Sequence, residues 1–215
     1  MEKIRVLCYG DSDTWGYIAG TGQRREARWT AVLQQKLGDG YTVIENGLNG
    51  RTTVFDNPNN PWLNGLKGLG YTLISQKPLD IVVIFLGSND VMYTDAEGSA
   101  AGADELVRAI LDADAFCHVG QPIFPNGAKV LLLSPPLSAP EIKQVRPNTV
   151  LAEKADELLK YADLFQKVAQ ERGVYFLDAK LYARSSPVDC IHIDGESHQA
   201  LGTAVAEKIR EIFGV

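Results

Sequence analysis

The chain has 215 residues, a formal net charge of −6, 45% hydrophobic residues and 22% charged residues. One core of this size buries about 70% of the unfolded chain's surface, so no disulfide or metal staple is required. The acidic balance argues against nucleic-acid binding, which needs a basic stripe, and the three cysteines, Cys8, Cys117 and Cys190, form no C-x-x-C pair, so neither a zinc cage nor a disulfide framework is indicated.

The start, MEKIRVLCYG, has no signal-peptide h-region. No apolar run reaches the roughly 18 residues of a membrane span. A reducing cytoplasm is the expected setting, with no membrane and no nucleic acid among the partners.

Ile4 to Tyr9 is apolar and β-rich and reads as a first strand. Glu26 to Leu37 reads as a helix, because Trp29, Val32, Leu33 and Leu37 share one face and Gly38 closes it. Tyr41 to Glu45 is a second strand. Asn46 to Gly70 is rich in Asn, Gly and Pro and has no sustained period, and such a long irregular segment in a compact domain is often functional.

"LDIVVIFLGSND" is apolar on both faces, as expected of a central parallel strand covered by helices. Ala103 to Phe116 follows as a helix, and "KVLLLSPP" as another buried strand. Val150 to Arg172 reads as one long amphipathic helix with Leu151, Ala155, Leu158, Leu159, Ala162 and Phe165 on its stripe, stopped at Gly173. "VYFLDA" gives a fifth strand, and Gly195 to Phe213 a closing helix. Strands alternating with helices predict right-handed βαβ units in one α/β domain covering residues 1–215.

In open α/β sheets, sites gather outside the carboxyl ends of the strands. The strand exits Gly10-Asp11-Ser12, Asn46 onward, Gly87-Ser88-Asn89-Asp90 and Ser134 are polar, and "VDCIHID" adds Asp189 and His192 before the last helix. A serine hydroxyl needs a base to take its proton. A histidine fixed by a carboxylate serves best, and Asp189, three residues before His192, reaches the ring from the same turn. Attack on an ester also needs donors for the oxyanion. The Ser12 N–H, a glycine N–H from the Asn46–Arg51 loop and the Asn89 amide are the candidates.

These residues carry a resemblance. Gly10-Asp11-Ser12, Asn49-Gly50-Arg51-Thr52, Gly87-Ser88-Asn89-Asp90 and Asp189-Cys190-Ile191-His192 match, in order, the four blocks of the GDSL/SGNH hydrolases, which carry Ser, Gly, Asn and His. The sequence is most similar to the arylesterase/acyltransferase branch, through "GDSDTWG", "NGLNGRTT", "DNPNNPWLNG" and "KVLLLSPPLSAP".

The resemblance implies a flavodoxin-like three-layer α/β/α sandwich on a five-stranded parallel sheet. It implies a serine esterase acting on short acyl or aryl esters, with acyl transfer to alcohols as a further activity. Ser12 would be the nucleophile, His192 the base and Asp189 its partner. Ser12, Gly50 and Asn89 would form the oxyanion hole, Gly50 being preferred to Gly47 because it aligns with the block. No metal or organic cofactor is implied. Oligomers known in the related branch point to the 46–70 and 95–102 stretches as rim or subunit contacts.

Two residues depart from the family pattern. Asp13 stands where an apolar residue is usual, and would either disfavour anionic substrates or point to solvent. Cys190 stands where glycine is frequent and puts the turn geometry in question. Trp15 and Trp62 are candidates to line an acyl or aryl pocket, with plain packing as the other reading. His118 lacks an acidic partner, and His198 lies inside the last helix as a structural or supporting residue. The competing functions are a carbohydrate O-acetyl esterase and, in another class, a non-catalytic ligand-binding module on the same sheet.

Overall fold

The structure is a computed structural model and describes residues 3–117, 120–136 and 138–214. Five strands, β1 (Ile4–Gly10), β2 (Tyr41–Gly47), β3 (Ile81–Phe85), β4 (Val130–Leu133) and β5 (Tyr175–Leu177), form one parallel sheet in the order β2-β1-β3-β4-β5. The α-helices are α1 (Ser12–Trp15), α2 (Trp29–Leu37), α3 (Gly65–Gln76), α4 (Ala96–Leu111), α5 (Ile142–Val145), α6 (Val150–Glu153), α7 (Tyr161–Arg172) and α8 (Gly195–Phe213). This is the flavodoxin-like order, whose switch point lies between β1 and β3.

Alternation along the strands builds two cores. Leu7, Tyr9, Val82, Ile84, Val130 and Leu132 pack on one face against α3, α4 and α7. Val6, Cys8, Ile81, Val83, Phe85, Leu131 and Leu133 pack on the other against α2 and α8. Both faces of the central strands are therefore apolar, as the unbroken run at Ile81–Phe85 predicts. The sandwich and its five parallel strands agree with the sequence reading.

Three elements differ from it. The 46–70 segment is not irregular throughout: Asn64 caps α3, its side chain accepting from the Lys67 N–H at 3.1 Å. Two of the glycines that disguise this helix, Gly65 and Gly68, allow close approach. A Cβ on Gly65 would lie 2.5 Å from the Thr52 carbonyl oxygen, and one on Gly68 would lie 3.1 Å from the Tyr9 hydroxyl.

Helix α4 begins seven residues earlier than expected, capped by Asp95 through the Gly98 N–H at 2.9 Å. Its first turns bury Ala96, Ser99, Ala100 and Gly102 within this chain, so much of the 95–102 stretch faces inward rather than lying on the rim. Small residues carry little hydrophobic signal, which hid the face.

The 150–172 stretch is not one helix. It breaks into α6, a 3₁₀ segment at Ala155–Lys160, and α7. A 3₁₀ segment has three residues per turn, which sets Leu158 and Tyr161 on one line. Both are buried, while Leu159 is 61% exposed. A continuous α-helix would have presented Leu158 and Leu159 together.

Helix α8 crosses α2 closely because Gly202 has no side chain; a Cβ there would lie 2.6 Å from the Trp29 carbonyl oxygen and 2.7 Å from Val32 Cβ. Gly→Ala inside a helix ordinarily stabilises by about 1 kcal/mol. Here Gly202→Ala is expected to destabilise by about 1–3 kcal/mol through overpacking, read as a lowered urea-unfolding midpoint. An unchanged midpoint would mean that the two helices separate without strain.

Candidate active site

The exit of β1 is shaped for a tight turn into α1. A Cβ on Gly10 would lie 2.0 Å from Thr14 Oγ1 and 2.8 Å from the Phe85 carbonyl oxygen. Asp11 caps α1, its Oδ1 accepting from the Asp13 N–H at 3.0 Å. Ser12 is thus the first helical residue, and its own N–H lies outside the helix ladder.

The Ser12 Oγ lies 3.1 Å from His192 Nε2, across 180 positions of sequence. His192 Nδ1 lies 2.7 Å from Asp189 Oδ2. A carboxylate only accepts, so the tautomer that fits carries its hydrogen on Nδ1 and leaves Nε2 to accept from the serine hydroxyl. Asp189 Oδ1 accepts from the N–H groups of Ile191 at 3.0 Å and His192 at 3.1 Å. Burial pushes the Asp189 carboxyl upward, but the hydrogen bonds from His192 and the Ile191 N–H outweigh it and hold the group below its usual range.

Cys190, the residue that put this turn in question, adopts φ +61°, the left-handed region that glycine enters freely. The turn nevertheless forms. Its thiol is buried against Ala139, Ile142 and Ala152, and its N–H donates to the Ser186 carbonyl at 2.8 Å.

The 47–53 segment supplies the opposite wall. Gly50 turns at φ +81° and lines the cleft with Ser12, Asn89 and His192. Gly47 does not line it; a Cβ there would lie 2.2 Å from the Trp15 backbone nitrogen. Asn89 Nδ2 donates to the Arg51 carbonyl at 3.0 Å. Arg51 in turn donates from Nη1 to the carbonyls of Gly10 at 2.9 Å and Asn46 at 2.6 Å, and covers the Tyr9 ring at 4.0 Å.

Asp90, fully buried, accepts from the Thr53 N–H at 2.9 Å, Thr53 Oγ1 at 2.6 Å and Ser99 Oγ at 3.0 Å. Burial pushes its carboxyl up to about 6, against the downward pull of these bonds. Arg51 and Asp90 were not singled out in the sequence. Both lie within the quoted blocks, but their partners on other elements are not visible in a linear motif.

Ser12, Gly50, Asn89, Asp189 and His192 all line one open cleft of about 560 Å³. Tyr17, which the sequence reading missed, lies beside the imidazole with ring centroids 4.2 Å apart. The polar exit at Ser134 is not part of the cleft, since its hydroxyl donates to Asp178 Oδ1 at 2.9 Å.

Asp13 does not point to solvent, which corrects that expectation, and it is not among the residues that line the cleft. It is 3% exposed, and its Oδ1 accepts from the Ile193 N–H at 3.0 Å. Burial pushes its carboxyl up to about 6, while the neighbouring His192 and the Ile193 N–H pull it down. Trp15 packs outside the cleft under Arg24, at 5.6 Å, and Trp62 is 80% exposed beyond it. The substrate-lining expectation for both tryptophans is therefore not met in this chain.

His198 is buried, its Nδ1 accepting from the Trp29 N–H at 3.1 Å, and burial pushes it down to about 3. It ties α8 to α2, the structural role expected. His118 lies outside the described residues. Among the described residues, no three His, Cys, Asp or Glu side chains are grouped to hold a metal.

Residues 8–200 match the GDSL-like lipase/acylhydrolase family. The chain belongs to that family. Its domain is that of a carboxylic ester hydrolase. An acetylxylan esterase of Xylanibacter ruminicola is 29% identical over 193 residues, covering 82% of this chain and 36% of the relative. The chain thus spans about a third of that protein's length.

Among solved structures, a carbohydrate acetylesterase from Sinorhizobium meliloti is 35% identical, with TM-score 0.90 over 98% of this chain and 100% of its own. An inhibitor-bound aryl esterase of M. smegmatis is 33% identical, with TM-score 0.86 over 97% of this chain and 99% of its own. No helix among the hydrolase's described residues is long and apolar enough to cross a membrane.

Asp13 separates two effects in the hydrolase. Asp13→Asn keeps an acceptor for the Ile193 N–H, whereas Asp13→Ala leaves that donor buried and unpaired, at about 1–3 kcal/mol. A misplaced loop should lower kcat about 10- to 100-fold in Asp13→Ala, and Asp13→Asn should recover most of it. The linkage sign is also fixed. A folded-state value raised to about 6 means that the stabilisation from Asp13 is present below the unfolded value of 3.8 and is lost as pH rises through 6. Chemical unfolding should therefore show Asp13→Asn gaining on the wild type between about pH 4 and 7. A flat difference would place the carboxylate in water.

Proposed function

We propose that this hydrolase cleaves short acyl esters through a covalent acyl-enzyme, with Ser12 as nucleophile, His192 as general base and acid, and Asp189 as the group that orients it. The observation that carries the proposal is the continuous hydroxyl–imidazole–carboxylate chain, 3.1 Å and 2.7 Å long at its two links, opening on the cleft.

The Ser12 Oγ attacks the ester carbonyl as its proton passes to His192 Nε2. The oxyanion then meets the Ser12 N–H, the Gly50 N–H and the Asn89 amide, donors fixed before the reaction begins. Asn89 has one amide hydrogen on the Arg51 carbonyl and only a 3.5 Å contact to Asp11 Oδ2 for the other. His192 returns its proton to the departing alkoxide as the C–O bond breaks. Water, activated by the same imidazole, frees the acyl group; an alcohol in its place gives acyl transfer.

A carbohydrate O-acetyl ester is the second reading. What favours it is the likeness to a carbohydrate acetylesterase at 35% identity over nearly the whole of both chains. A non-catalytic binding module has no use for the Asp189–His192–Ser12 chain.

A serine-directed phosphonate should label the wild type at Ser12, and Ser12→Ala should abolish labelling and burst kinetics; labelling elsewhere would overturn the assignment. Asn89→Ala should lower kcat about 10²- to 10³-fold, whereas a two- or threefold loss would leave Asn89 only as a donor to Arg51. An acetyl-to-octanoyl series, with and without added alcohol, separates hydrolysis from transfer.

A further inference from the structure

The charges in and beneath the cleft are unequally employed. Asp189 is fully engaged by His192 and two backbone N–H groups. Asp11 and Asp13 are buried and accept from backbone N–H groups. Arg146, just past the end of α5, lines the cleft beside Val145 and is exposed. No hydrogen bond or ion pair to its guanidinium is formed among the described residues, although Lys143 on the same short helix lies 3.7 Å from Asp156.

An acidic chain of net charge −6 thus presents, at the mouth of its site, a free guanidinium. That group offers five donors in a fixed fork that matches a carboxylate. The apolar side chains of Val145, Val188 and Ile191 line the same cleft. A bound substrate would exclude water there and strengthen the pair.

We propose that the cleft selects esters that carry a carboxylate, held by Arg146 while the ester carbonyl lies at Ser12. The proposal rests on the ester-hydrolase reading of this cleft. The Asp13 carboxylate accepts from the Ile193 N–H and does not line the cleft, so it does not compete with Arg146 by direct contact.

Two substrate pairs test it, each matching a carboxylate with its neutral amide. On the alcohol side the pair is 3-acetoxybenzoate and 3-acetoxybenzamide; on the acyl side it is the monophenyl ester of adipic acid and that of adipamic acid. The readout is the ratio of kcat/KM within each pair, for the wild type and for Arg146→Gln and Arg146→Lys.

At low ionic strength the wild-type ratio should be about 3 to 10 for at least one pair, the range between an exposed and a partly desolvated charge pair. The pair that shows it identifies which side of the ester bears the anion. The ratio should fall toward one in Arg146→Gln and in about 0.5 M salt, and should be partly kept in Arg146→Lys. Ratios at or below one for both pairs, or a ratio that Arg146→Gln leaves unchanged, overturn the inference while the ester-hydrolase reading stands. Failure to cleave any of the substrates overturns both.

Discussion

The 3.1 Å contact between Ser12 Oγ and His192 Nε2 joins a strand exit near the start of the chain to a loop near its end. A loop holding a reactive side chain to such a distance must lose the backbone freedom that loops normally keep, about 1–2 kcal/mol per residue. The fold meets that cost locally and at range. Locally, Asp189 accepts from the N–H groups of Ile191 and His192 with one oxygen and holds the imidazole with the other. At range, Asp13 reaches from α1 to the Ile193 N–H, so the residue after the nucleophile grips the residue after the histidine. The contact is therefore held by hydrogen bonds within the histidine turn and by one from that turn to α1.

The other wall obeys the same logic with different residues. Gly50 and Asn89 come from separate crossovers, yet Arg51 and Asp90 link the two. The Arg51 carbonyl accepts from Asn89, and Asp90 accepts from both the N–H and the hydroxyl of Thr53. Burial is a cost here, since it pushes the carboxyls of Asp11, Asp13 and Asp90 upward. Hydrogen-bond donors offset part of it. Carboxylates fit these places because one group accepts from several N–H and O–H donors that would otherwise be buried unpaired.

Sequence patterning revealed what hydrophobic periodicity and strand exits control. The doubly covered strand at Ile81–Phe85 and the closing helix Gly195–Phe213 could be read to within a residue or two. The meeting of Ser12, His192 and Asp189 was expected from the polar strand exits together with the four-block resemblance. The parts that were not legible depend on packing across elements. Gly65 and Gly68 of α3 read as loop because their fit against Thr52 and Tyr9 is not visible in sequence. The 155–160 stretch looked α-helical because a change from 3.6 to three residues per turn leaves no trace in composition. Asp13 looked like a surface or substrate-facing charge because its partner is a backbone N–H far away in the chain. Trp62 and Trp15 looked like pocket walls because aromatic residues near a motif suggest contact, and only coordinates give direction.

Cys190 shows how such constraints combine at one residue. A side chain in the left-handed region costs about 1–2 kcal/mol relative to an ordinary conformation, and glycine would avoid it. The turn needs that conformation, because Asp189 must lie close enough to accept the N–H groups of both Ile191 and His192. Keeping a thiol there returns apolar burial against Ala139, Ile142 and Ala152. The backbone adds a second link to the 139–152 segment, where the Ala139 N–H donates to the Cys190 carbonyl at 3.2 Å. That segment carries Val145 and Arg146 into the cleft. The strained residue thus ties the wall that carries the free guanidinium to the turn that carries the imidazole, and a glycine would relax the turn while losing the packing half of that tie.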